Sequence, residues 1–205
     1  TLTSSASSTT ELTAENLAKY LTINDLQLPN SFTTFGSGAF ANTTVNQITF
    51  GTAEKPIAYT TTGSTNSSDE LAAIMKLLKA ASQDADASLD STNVLQGWTD
   101  VSETSKATAD AGTDTSTPGT KKTKTINGLV WTYDPAANTI TCERVDQYKS
   151  SETTSSTTYL TFKTPVKVVI NVQANLGSAL TPPQSTGGSG SSSGSGSTGS
   201  NGSSN

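Results

Sequence analysis

The side chains with chemistry to offer are few and scattered. The chain contains no histidine. That removes histidine-based acid–base catalysis, the Ser–His–Asp and Cys–His arrangements, and the usual zinc sites. Gly-rich phosphate loops of either standard spacing are missing. Paired carboxylates alone suffice for glycoside hydrolysis. Here, however, the acids sit in polar stretches with no aromatic frame to raise a pKa. The reading is non-enzymatic, with no cofactor and no metal. Asp84, Asp86, Ser88 and Asp90 place oxygen ligands at alternate positions, like the opening of a calcium loop. Leu89 stands where that loop needs its turn glycine, and Leu95 where it needs a bidentate glutamate. The segment therefore reads as a solvated helix end followed by a turn.

Binding chemistry has more candidates. Phe32, Phe35 and Phe40 interrupt a Gly/Ser/Thr-rich stretch, Asn30–Asn46, and Trp98 closes a short apolar run from Val94. These aromatics read as plugs that seat a loop on the core or, with Trp98, as a surface on which a ligand stacks. Asn42, Asn66 and Asn201 open N-glycosylation acceptor triplets. The single cysteine, Cys142, excludes an internal disulfide framework. It reads as a small buried hydrophobe or, failing that, an intermolecular disulfide partner. The densest cationic cluster is Lys121, Lys122 and Lys124, the lone arginine is Arg144, and the net charge is −5 with a pI near 4.6. Nucleic acid needs a basic footprint, and this chain has none.

The element that must position such groups is a three-strand meander, Thr120–Tyr148. Asn127-Gly128 separates two strand-like runs and suits both positive-φ positions of a type I′ turn. Leu129, Trp131 and Tyr133 then alternate with Val130 and Thr132, placing the bulky groups on one face. Asp134–Asn138 reads as a longer turn, and Ile140 and Cys142 resume the inward alternation.

Ahead of the meander, Thr13 reads as an N-cap, with Glu15 in the first turn and Ala14, Leu17, Ala18 and Leu21 on one apolar face. Gln47–Phe50 and Ile57–Thr62 read as short strands. Ser67 and Glu70 have capping-box spacing before a helix whose apolar face is Leu71, Ile74, Met75 and Leu78, widened by Leu77 and Ala81. Ser102–Gly119 and Ser150–Thr158 read as Ser/Thr-rich loops. Tyr159–Lys163 and Val166–Ala174 read as the last strands, split by Thr164-Pro165. Val166, Val168, Ile170, Val172 and Ala174 share one face.

Composition supports a β-rich domain with neutral polar surfaces. Only 32% of residues are hydrophobic and 14% charged, and Ser plus Thr make up roughly a third, far above ordinary usage. Residues 1–10 form a polar lead, 11–181 a single α+β domain, and 182–205 a Gly/Ser-rich tail, a flexible linker by composition. No window approaches the roughly 20 apolar residues of a membrane span. The chain begins at Thr1, which carries the expectation of a processed or trimmed form.

At Asn127–Val145, NGLVWTYDPAANTITCERV, the sequence resembles the C-terminal sheet of type IV pilin-like and pseudopilin proteins, which carry a Tyr-Asp-Pro hairpin followed by an isoleucine. The long hydrophobic N-terminal helix of those proteins has no counterpart in this sequence. The expected fold is α+β, two short helices against an antiparallel sheet of about five to seven strands. The resemblance and the composition together imply an extracellular structural subunit of a pilus or similar surface filament, partnered by its own copies or another subunit. A carbohydrate- or host-binding adhesin module, or an S-layer or capsid-like lattice protein, is the alternative.

Overall fold

The structure is a computed structural model that describes residues 21–40, 43–101 and 120–182. In chain order these form β1 (Thr22–Ile23), β2 (Leu26–Leu28), β3 (Thr44–Val45), β4 (Gln47–Phe50), β5 (Thr60–Thr62), β6 (Thr65–Ser67) and helix α1 (Asp69–Lys76). Then come β7 (Leu78–Lys79), a 3₁₀ turn at Asn93–Leu95, β8 (Thr99–Asp100), β9 (Lys122–Ile126), β10 (Leu129–Asp134), β11 (Thr139–Glu152), β12 (Thr157–Asn171) and helix α2 (Leu176–Ala179). The helix expected from Thr13, apart from Leu21, and the Ser102–Gly119 loop, the tail from Gln184, Asn42 and Asn201 lie outside the described residues. Leu21, expected on that helix's apolar face, is instead exposed and leads into β1.

Among the described residues the architecture is α+β in the broad sense: mostly sheet, with two short helices. The main sheet runs β2-β4-β12-β11-β10-β9-β8, and β7 pairs off that path with β11, at Gln147 and Tyr148. The expectation of a purely antiparallel sheet is corrected. β2 pairs parallel to β4, and β4 pairs parallel to β12. Parallel neighbours need a long connection between them. The segment from Pro29 to Asn46, which carries the phenylalanines, serves that purpose between β2 and β4.

The meander forms as its residue types dictate. Asn127 and Gly128 both hold positive φ, 54° and 73°, as a type I′ turn requires. Leu129, Trp131, Tyr133, Ile140 and Cys142 are all buried, while Val130 is exposed. Register carries this alternation across the sheet. One inner row is Leu28, Phe50, Ile170, Ile140 and Tyr133, each opposite the next on neighbouring strands. The adjacent outer row runs Gln27, Thr49, Val169, Thr141, Thr132, Thr123, Thr99.

Several local expectations shift. Tyr159–Lys163 and Val166–Ala174 are one strand, β12, passing through Pro165. Proline is tolerated there because register jumps between Val145↔Val166 and Gln147↔Thr161, a bulge in which Pro165 owes no ladder bond to β11. The Ser150–Thr158 loop shrinks to a tight turn between Glu152 and Thr157, because β11 extends to Glu152. Ala174 is exposed, since Asn175 turns the chain away at φ 73°. Ile57 makes an isolated bridge to Val172, and Thr60–Thr62 pairs with β6 in a separate hairpin.

Helix α1 starts one residue later than the capping-box spacing implies. Its cap is Ser68, whose Oγ accepts from Leu71 N at 3.3 Å and donates to Ala58 O at 2.7 Å. Ser67 is held in β6, and Glu70 instead accepts from Asn30 Nδ2 and Ala58 N. The helix also stops at Lys76, because Leu78 joins β11 as β7. Helix α2 was not foreseen. Tyr133 lies against Gly177, where a Cβ would stand only 2.7 Å from the ring. The missing side chain is what lets helix and sheet meet.

Candidate functional site

Of the aromatics singled out in the sequence, Phe32, Phe35 and Phe40 are drawn into one cluster of rings, and Trp98 stands apart from it. Phe35 packs edge-on against Phe40 and Tyr148, with ring centroids 5.3 and 5.4 Å apart, and Phe40 reaches Phe162 at 5.4 Å. Such pairs add to burial because ring edges meet ring faces. Phe35 and Phe40 are buried, Phe32 is half-buried against Phe35, and Trp98 is buried with Nε1 donating to Val94 O at 2.9 Å. In this structure Phe35, Phe40 and Trp98 turn no ring face to solvent.

The acidic loop is spent on itself. Asp86 Oδ1 accepts from Ser88 N and Oγ, and Asp90 Oδ1 accepts from Thr92 N and Asn93 N. These bonds hold both carboxyls below the usual carboxylate range. Among the described residues no three His, Cys, Asp or Glu side chains converge as metal ligands. The lysines separate: Lys121 pairs with Asp134 at 3.0 Å, Lys122 with Asp100 at 2.6 Å, and Lys124 Nζ donates to Asn93 O at 2.7 Å. Burial lowers the Lys124 pKa, partly countered by Asp86 and Asp90. Cys142 is buried, and desolvation pushes its thiol up to about 11, which removes thiolate reactivity near neutrality. Asn66 sits in β6, its Oδ1 accepting from Thr61 Oγ1. The hydroxyl of its acceptor triplet, on Ser68, is the buried helix cap.

Among the described residues, two surfaces offer room for binding. The first is a cleft of about 630 Å³ at the end of α1, lined by Lys76, Lys79, Asp84, Gln147, Lys149 and Tyr159 among others. Lys79 Nζ donates to Gln83 O at 2.6 Å and lies 5.3 Å from the Tyr159 ring centre. The Tyr159 hydroxyl donates to Lys76 O at 2.9 Å, and burial, then Glu152, raises its pKa. Lys149 holds Glu152 at 2.8 Å and keeps that carboxyl low. The cleft combines one aromatic ring with amide, ammonium and carboxylate groups.

The second surface is the outer face of the sheet. It forms a shallow hollow of about 650 Å³ whose lining includes Val130, Thr132, Thr141, Glu143, Arg144 and Lys167. Three ion pairs dress this side: Lys121–Asp134 at 3.0 Å, Lys167–Glu143 at 3.0 Å and Arg144–Asp146 at 3.5 Å. Sequence reading missed both surfaces, because each joins residues far apart in the chain. The signal for the outer row was the alternation of Thr132 and Thr141 with buried neighbours.

Comparison of the chain with protein-family models, curated proteins and solved structures finds no match. Among the described residues no helix is long and apolar enough to cross a membrane.

Proposed function

We propose that this chain is a non-enzymatic structural subunit of an extracellular filament of the pilus type, joined to copies of itself or to another subunit. The observation that carries the reading is the outer sheet face. Its three ion pairs set Lys121, Arg144 and Lys167 against Asp134, Glu143 and Asp146, and Asp25 adds a carboxylate that accepts from Thr49 and Gln27 of the outer row. The whole chain carries −5. The paired groups add no net charge of their own to a contact between copies, whereas the chain as a whole is negative. β-branched Val130, Thr132, Thr141 and Val169 give it stiff side chains that lose little freedom on contact. The Tyr-Asp-Pro hairpin resemblance and the Ser/Thr-rich composition point the same way. The test is negative-stain microscopy with sizing of the native protein. Filaments or concentration-dependent oligomers are expected, and a strict monomer with no filament on the source cells overturns the proposal.

The second reading, a carbohydrate- or host-binding module, rests on the Tyr159 cleft. An aromatic ring beside amide and carboxylate side chains is the chemistry that neutral sugars engage. A glycan array distinguishes the two readings. Binding lost on Tyr159→Ala, with the fold intact, favours the module.

A further inference from the structure

The chain contains two Asn-Gly pairs, Asn127-Gly128 and Asn201-Gly202. Glycine has no Cβ to shield its backbone nitrogen, so in a free chain that nitrogen attacks the preceding asparagine side chain easily. Asn127 is not free. Its Nδ2 donates to Met75 O at 3.0 Å and Leu78 O at 3.1 Å, joining the turn to the end of α1. Its Oδ1 accepts from Asp86 N, and its main-chain oxygen accepts from Ala80 N at 2.9 Å. Asn127 is 5% exposed, and Gly128 sits so close to Gln83 that a Cβ would stand 2.2 Å from Cγ. One asparagine thus ties together the β9–β10 turn, the helix end and the acidic loop.

We propose that Asn127-Gly128 is a deamidation site gated by folding: blocked in the native state, open in the unfolded chain, and irreversible in its consequence. The chemistry needs only water. Gly128 N gives up its proton and bonds to Asn127 Cγ, the Cγ–Nδ2 bond breaks, and Nδ2 departs as ammonia. Water then opens the succinimide at either carbonyl, leaving aspartate or isoaspartate. In the native fold this requires the side chain to leave three hydrogen bonds and turn back onto its own backbone, so opening must come first.

The product cannot rebuild the contact. A carboxylate only accepts hydrogen bonds, and here it would face the carbonyl oxygens of Met75 and Leu78, to which the amide donated. The isoaspartate form also lengthens the main chain inside a two-residue turn that sets the β9–β10 register. Molecules that linger unfolded are thereby marked and lose their route back.

The test holds the intact chain at one pH and temperature, native and in denaturant, and follows amide-to-acid conversion at residue 127 by peptide mass. Residue 201 in the denatured sample is the reference for an open Asn-Gly pair. Conversion at 127 should match 201 in denaturant and run at least about tenfold slower in the native protein. The aged denatured sample is then returned to native buffer. Its recovered fraction should equal the fraction unmodified at 127. A native rate less than about tenfold below the denatured rate, or modified chains that regain the native unfolding midpoint, overturns the proposal. Asn127→Asp gives an independent check: it should lower the midpoint or prevent folding, and wild-type behaviour counts against the gate.

Discussion

Neighbouring residues on β10 meet opposite fates. Trp131 is fully buried, while Val130 is 59% exposed. The same contrast runs across the sheet: the inner row from Leu28 to Tyr133 is apolar on β2, β4, β12, β11 and β10, before it passes to Lys122 and Asp100 at the β9–β8 edge, and the outer row from Gln27 to Thr99 is largely threonine. Both rows use β-branched or aromatic residues suited to a pleated strand. They differ in what they leave unsatisfied. The inner row removes its apolar surface from water by packing under α1, α2 and the phenylalanine cluster. The outer row keeps half-shielded methyls beside hydroxyls and balanced ion pairs, a surface able to meet water or another protein. The first face stabilises the fold, and the second is left for contacts outside it.

The sharpest way to break that comparison is to cut both residues. Trp131→Ala should cost about 3–5 kcal/mol, as a large-to-small core change does. Val130→Ala should stay within about 0.5 kcal/mol, as exposed positions do. Urea denaturation followed by tryptophan emission or circular dichroism measures both. Similar losses at the two sites would mean the faces are assigned wrongly.

A smaller effect is expected where the inner row meets α2. Gly177→Ala places a methyl about where the Tyr133 ring lies, and overpacking of this kind costs about 1–3 kcal/mol. An unchanged denaturation midpoint would show that Tyr133 does not seat against the helix.

How far the sequence could be read follows from these same residues. The meander was legible because Asn127-Gly128 and the alternation of Leu129, Trp131 and Tyr133 are local signals, and structure needs only neighbours to obey them. The parallel edge was not. Leu26–Leu28 is three residues long, and nothing in it announces that it joins β4 after a long excursion. Helix α2 was hidden for a related reason: Leu176–Ala179 is one turn with no capping side-chain bond. The early end of α1 was a competition. Leu78 fits a helical face, but pairing with Tyr148 in the sheet wins. The candidate surfaces were the least readable part. Lys79, Gln147 and Tyr159 meet only after β7, β11 and β12 are assembled, and charge balance on the outer face depends on pairs such as Lys167–Glu143.

Alkaline titration gives a gentler probe of the inner face. Burial raises the Cys142 pKa to about 11 from 9.0. A raised folded value means the native state holds its proton longer than the unfolded chain does. That contribution is complete below the unfolded pKa and declines as pH rises through the folded one. Stability should therefore fall more steeply between about pH 9 and 11 in the wild type than in Cys142→Ala. Denaturation midpoints across that range decide it, and parallel curves would contradict a buried thiol. In the native protein the thiol should also react with a disulfide reagent no faster than the chain opens.

The smallest effect on stability should bring the largest effect on assembly. Val130→Lys combined with Thr132→Arg adds charge to the outer face without touching the inner row. It should change the unfolding free energy by no more than about 0.5 kcal/mol. Sedimentation velocity on the wild type and this double variant tests the central claim directly. The account predicts concentration-dependent oligomers for the wild type and a monomer for the variant at the same concentration. A wild type that sediments as a monomer throughout, or a variant that assembles equally well, would contradict the assignment of the outer face to assembly.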